Sequence, residues 1–262
     1  MIGRWLQAWR RRAEDRAAAR RAIPDDLWKR TLGRYPFLRR RDPADAAALR
    51  RLASLFLDRK EFSTVGGLVL RDHIAVAIAA QACLPVLRLG LERYDGFVGI
   101  VVSPEPVRLR REHVDEAGVH HEGFEELSGQ AQDGGPMLLS WPDVRRAGLE
   151  GGMAYNVVIH EFAHVMDLAD GRSDGVPPLP PDIPRAEWTG VLRREYEGFV
   201  ARVDAGEVTA LDPYGANGED ELFAVASESF FVDPRGLKAE HPALYGVFSR
   251  FYRQDPAEEG YF

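Results

Sequence analysis

A single cysteine, Cys83, leaves this 262-residue chain with no intramolecular disulfide to form. Its stability must come from a packed core rather than from cross-links. No apolar run reaches the roughly 18–20 residues that a membrane span needs. The first 22 residues lack the apolar stretch of a secretory signal and are too rich in arginine for one. No GxGxxG or P-loop is present to cradle a nucleotide, and no segment repeats. Together these absences place the chain in a reduced, cytoplasmic setting. What remains is 45% hydrophobic and 29% charged at net charge −7, enough for one large domain or a domain with an appendage. Cys83 lies in the apolar run 79–87, with no base evident nearby, and reads as a core residue rather than a nucleophile.

Charge is unevenly spread. Residues 1–60 carry 17 basic against 7 acidic side chains, leaving 17 basic against 34 acidic in the rest. Residues 2–22 form a basic helix with Trp5, Leu6 and Trp9 along one side. Such a helix can be solvated with its aromatics packed on the body, or frayed. It can also dock on an anionic membrane surface or an acidic partner. Direct nucleic-acid binding is the weakest reading, because the acidic remainder repels a polyphosphate backbone.

The chemistry concentrates in residues 157–167, where His160-Glu161-x-x-His164 stands inside an apolar, helix-compatible run. On a helix, positions i and i+4 share a face one turn apart. Both imidazoles then point into one space, as a zinc ion requires. Glu161 projects beside the metal, placed to take a proton from water and pass it to a leaving amine. A carboxylate among apolar neighbours needs a partner or a metal.

A catalytic zinc takes three protein ligands, and two residues compete for the third place. Asp170 lies six residues after His164, the metzincin offset, but Asp167 stands where that pattern needs a turning glycine. Asp167 and Asp170 read better as groups holding a ligand histidine's ring N–H, or as helix-end caps. The other candidate is Glu221. After the turn at Asn217-Gly218, acidic residues open a run with helical spacing through Leu222, Val225, Ala226 and Ser229. A favourable helix dipole explains Glu219 and Asp220, but not a glutamate on the apolar face. Glu228 follows Glu221 by two turns and can brace a ligand histidine. A second helix offering a glutamate to a His-Glu-x-x-His helix is the gluzincin arrangement.

Six segments carry a family likeness: residues 81–87, 138–144, 156–164, 211–214, 223–231 and 251–256. On these the chain resembles the Mlc titration factor A family of bacterial zinc metallopeptidases. Its catalytic region is similar to the protease domain of anthrax lethal factor. The resemblance implies one zinc per chain on His160, His164 and Glu221, with Glu161 as base and Tyr214 reaching the oxyanion. It also implies aminopeptidase action on short peptides, and binding to the glucose repressor Mlc that relieves repression of sugar-phosphotransferase genes. The alternative is a non-catalytic or latent protein that acts by sequestering a transcription repressor.

The rest of the chain supplies the frame. Helices are expected after Pro24, from Asp42-Pro43 through Leu57, and over 72–87, with a short strand at 68–71. Residues 1–90 are thus a mostly helical N-terminal part. Residues 91–262 are the core of one α+β, zincin-like (gluzincin) domain. Strands are expected at 97–102 and 137–140, and the resemblance to zinc peptidases implies that the latter flanks the cleft and pairs with an extended substrate. Adjacent His120 and His121 face opposite ways on a strand, so at most one joins a shared site. The acids Glu122, Glu125 and Glu126, and those near Glu221, are candidates to hold a substrate amine. The Gly/Pro-rich stretch 171–184 reads as a loop, either a mobile lid or a surface connection. Helices follow over 188–203 and from Pro242.

Overall fold

In a computed structural model, the structure describes residues 2–105, 107–114, 120–127, 129–130, 135–150 and 153–258. Side chains are described for residue 9 and for 11–105, 135–149 and 153–258. Helix α1 spans Ile2–Arg20, α2 Asp25–Arg34 and α3 Pro43–Arg59. Strand β1 (Glu61–Thr64) and helix α4 (Asp72–Ala82) follow. Next come β2 (Gly99–Ser103), β3 (Val107–Val114), β4 (His120–Leu127), β5 (Gly129–Gln130) and β6 (Met137–Ser140). Short helix α5 (Trp141–Arg146) leads to β7 (Gly148–Glu150) and β8 (Met153–Tyr155). The C-terminal part is helical: α6 (Val157–Asp167), α7 (Arg185–Asp204), α8 (Glu219–Val232), α9 (Pro234–Glu240) and α10 (Pro242–Tyr252).

The main sheet has the order β1-β2-β6-β5. Strands β1, β2 and β6 run parallel, with Glu61 opposite Gly99 and Ile100 opposite Met137. Parallel neighbours need a long crossover, and α4 lies in the one between β1 and β2. The strand expected at 68–71 does not form. It forms instead at 61–64, where Gly66 and Gly67, both at positive φ, end it. Alternation in so short a run is a poor guide, because pairing with the apolar β2 decides the matter. Strand β6 is not a free edge either. Its outer side carries β5, with Gln130 opposite Leu138. The hairpin β3–β4 sets His113 opposite His121, but the side chains of His120, His121, Glu122, Glu125 and Glu126 lie outside the described residues.

One apolar core runs from Ile23 to Ala257 and draws on both halves of the chain. Its centre is aromatic. Phe162 of α6 meets Tyr94 at 4.6 Å, Phe56 at 5.6 Å and Phe97 at 5.7 Å between ring centroids. A second cluster joins Trp188, Phe223, Phe248 and Phe251 on α7, α8 and α10. Burying rings of this size contributes about 2–3 kcal/mol each, so the core fixes how α6 and α8 approach. Cys83 is fully buried, and burial pushes its thiol pKa well up.

Helix α1 is attached differently. Ala17 and Ala18 touch the core. Ion pairs run to α3 from Arg20 to Asp58 at 3.0 Å, and from Asp15 to Arg51 at 2.7 Å. Exposed pairs of this kind stabilise little, about 0–1 kcal/mol. Trp9 is 62% exposed, so the reading in which the aromatics of this helix pack on the body fails at Trp9. Among the described residues no helix is long and apolar enough to cross a membrane.

Candidate metal centre

Helix α6 starts where Asn156 caps it, its Oδ1 accepting from the Ile159 N–H at 3.0 Å. Asparagine just before an apolar run is a helix-start signal. Val158, Ile159, Phe162, Ala163 and Met166 then point into the core and are fully buried. That leaves His160 and His164 on the opposite side, with ring centroids 4.8 Å apart.

Helix α8 crosses this face and brings two carboxylates to it. Glu221, in the first turn, places Oε2 at 3.1 Å from His160 Nε2 and 3.3 Å from His164 Nε2. The two Nε2 atoms are 3.2 Å apart. Two turns on, Glu228 Oε1 lies 2.8 Å from His160 Nδ1, and its Oε2 accepts from the Asn156 N–H. A carboxylate oxygen accepts here, so Nδ1 carries the hydrogen and Nε2 is the ring nitrogen turned towards Glu221 and His164. This tautomer is inferred from the hydrogen bond.

The arrangement suits a cation. Three electron-rich atoms converge at 3.1, 3.2 and 3.3 Å. Ligand atoms about 2.0–2.1 Å from a tetrahedral zinc stand roughly 3.3–3.4 Å from one another. Glu221 Oε2 is buried between the two Nε2 atoms with no hydrogen-bond partner of its own. The surrounding field favours positive charge here. Burial opposes the charged form of His160, yet Glu221, Glu228 and Glu161 push its pKa well above the ordinary value. Burial also opposes ionisation of Glu221, but the two imidazoles hold its carboxyl at about 2. Either protons or one divalent ion answers that demand, and only the ion matches the triangular spacing.

Glu161 follows His160 on the same helix and is 95% buried, close enough for its charge to act on the His160 ring. Tyr214 sits on the 3-10 turn Pro213–Asn217, which starts where Asp212 Oδ1 accepts from the Tyr214 N–H at 2.9 Å. Its ring centroid is 6.0 Å from that of His160, and the residue is 39% exposed.

Asp170 stands apart from this group. Its Oδ1 accepts from the Arg172 N–H at 3.2 Å, and its Oδ2 lies 3.8 Å from Arg185. Asp167 is fully buried, but its Oδ2 accepts from the Gly175 N–H at 2.8 Å rather than from an imidazole. The role expected for it at a ligand histidine falls to Glu228. Sequence reasoning passed over Asn156, which ties Glu228 to the start of α6; its signal was the cap position before the apolar run.

The stretch 171–184 is irregular and fastened to the body. Gly175 O accepts from Trp188 Nε1 at 2.9 Å, and Pro178 O accepts from Arg93 at 2.7 Å. It forms a strap that lies against the start of α8 at Gly175.

Residues 6–253 match the sequence model of the family described as glucose-regulated metallo-peptidase M90. The chain is 37% identical over 233 residues to a Serratia proteamaculans protein named Mlc titration factor A, covering 87% of each. It is 36% identical over 209 residues to Yersinia pestis and Yersinia pseudotuberculosis proteins of the same name, covering 78% of this chain and 76% of theirs.

Proposed function

The chain belongs to the glucose-regulated metallo-peptidase M90 family, and from that premise we propose that it is a zinc-dependent peptidase of gluzincin type. Its fold is an α+β, zincin-like domain with a helical N-terminal part. His160, His164 and Glu221 would hold one zinc per chain. The observation that carries this reading is the spacing of their three ligand atoms, 3.1–3.3 Å. Bound there, zinc supplies Lewis acidity, which lowers the pKa of water to about 7 and polarises a carbonyl oxygen.

The chain's own groups do the rest. Glu161 takes the proton from the attacking water and passes it to the leaving amine. The Tyr214 O–H donates to the oxyanion, as a neutral donor that costs little to bring near the cation. Glu228 fixes the tautomer and angle of the His160 ring. An extended substrate would lie along β5, since β6 is already paired on both sides. Short peptides with a free α-amine are the proposed substrates, on the family resemblance, and the cytoplasm is the proposed location.

A second reading is favoured by the names of the relatives. The chain would bind an Mlc-type repressor and act by sequestration, with no need of Glu161. A Glu161→Gln variant separates the two, because it keeps sequestration and loses hydrolysis.

The test is zinc content and hydrolysis of amino-acid anilides by the wild type, Glu161→Gln and Glu221→Ala. Wild type should hold about one zinc per chain. Glu161→Gln should keep it and lose roughly 10²–10⁴-fold in turnover. Glu221→Ala should lose zinc and turnover together. Normal turnover by Glu161→Gln would sink the mechanism. Undiminished zinc in Glu221→Ala would move the third ligand elsewhere.

A further inference from the structure

Helices α2, α4 and α5 line an open cavity of about 360 Å³, to which no residue of α6 or α8 contributes. Tyr35 is buried at it and Trp141 is half-buried. The Trp141 ring meets that of His73 edge-on at 5.5 Å. Three exposed arginines, Arg30, Arg34 and Arg145, complete the lining.

The charges here are poorly balanced. Arg30 pairs with Asp26 at 2.7 Å. Arg34 donates to the backbone carbonyl of Arg145, and its guanidinium stands 5.8 Å over the Tyr35 ring. Among the described residues neither Arg34 nor Arg145 forms an ion pair with a carboxylate. Both side chains line the same cavity. Burial raises the Tyr35 hydroxyl to about 12, while Arg34 and Arg145 both pull against that rise. Two guanidinium groups without a carboxylate partner among the described residues, lining one cavity beside aromatic rings, make this a locally basic site that suits an anion.

We propose that this cavity binds a small phosphate monoester carrying a flat ring, of the size of a nucleoside monophosphate. A phosphoryl dianion matches two unpaired guanidinium groups in charge, and their planar forks match its oxygens. A flat ring finds Trp141 and His73 beside it. The volume lies within the usual range for small-ligand pockets, about 300–1,000 Å³, at the end that suits one nucleotide. Recognition would come from side chains. The sequence has no GxGxxG or P-loop, so a backbone cradle for phosphate is absent by motif.

Calorimetric titration of the zinc-loaded full chain tests this, with AMP, adenosine and inorganic phosphate as separate probes. AMP should bind roughly tenfold or more tighter than either fragment. Arg34→Gln with Arg145→Gln should weaken AMP by a similar factor, with zinc content and melting temperature held. The Arg34 side chain also makes a backbone hydrogen bond, so Arg145→Gln alone, at an exposed side chain, serves as the second variant and should weaken AMP severalfold. Adenosine binding as well as AMP would overturn the phosphate contact, and phosphate binding as well as AMP would overturn the ring contact. Binding of AMP by Arg145→Gln as tight as wild type, or no heat with any probe, would overturn the site itself.

Discussion

Glu228 joins two helices through one side chain: Oε1 faces His160 Nδ1 at 2.8 Å and Oε2 takes the Asn156 N–H. A carboxylate accepts at both oxygens, whereas an amide accepts at one and presents N–H groups at the other. Glu228→Gln therefore keeps the volume and sets a donor against a donor. Zinc affinity, measured by competition with a chromophoric chelator, should fall about 10–100-fold while the fold persists. An affinity within about twofold of wild type would mean that this contact does not orient the His160 ring. Cys83 shows the opposite case. It is buried, its thiol is held in the protonated form, and nothing in the site draws on it.

At the scale of elements, the centre depends on how α8 is seated, and the strap beneath it is the means. Gly175 has φ +71, and a Cβ there would meet Glu219 O at 2.6 Å and Leu192 Cδ2 at 2.7 Å. Glu219 opens α8, two residues before Glu221. Gly175→Ala should cost about 1–3 kcal/mol in urea unfolding, from strain and from the clash. It should weaken zinc as well, since the first turn of α8 must shift. A variant that unfolds like wild type and binds zinc as tightly would show that the strap and α8 move independently.

For the molecule as a whole, stability against pH carries the mark of Asp167. Burial raises its carboxyl from 3.8 to about 7, outweighing the opposing Gly175 N–H. The folded state then holds this proton more tightly than the unfolded chain does. Its contribution is full below pH 3.8 and is lost as pH rises through about 7, a change on the order of a few kcal/mol. Glu221 acts in the other direction. With its pKa lowered from 4.5 to about 2, it contributes stability above pH 4.5 that is lost as pH falls towards 2. Asp167→Asn removes the first effect and retains an oxygen for Gly175. Its melting temperature relative to wild type should be higher at pH 8 than at pH 5. An equal difference at both pH values would refute a neutral buried Asp167.

The local part of this design is legible in the sequence. His160, Glu161 and His164 share one helix whatever the rest of the chain does, because the 3.6-residue period is a property of the backbone. The cap at Asn156, the acidic first turn of α8 and the turn at Asn217-Gly218 are local in the same way. The strand at 61–64 was not, because a four-residue segment becomes a strand through its partner, and β2 lies nearly forty residues on. The sequence favoured Glu221 over Asp170 as the carboxylate beside the two imidazoles, by the missing glycine at position 167 and by a glutamate on an apolar face, but it could not place either one in space. Only the aromatic packing of α6 and α8 brings Glu221 within 3.3 Å while Asp170 turns to Arg185. The same holds for Arg34 and Arg145, which lie 111 residues apart in the chain and meet at one cavity. Period and capping are set by neighbours in the chain, whereas third partners and cavities are set by which buried faces meet.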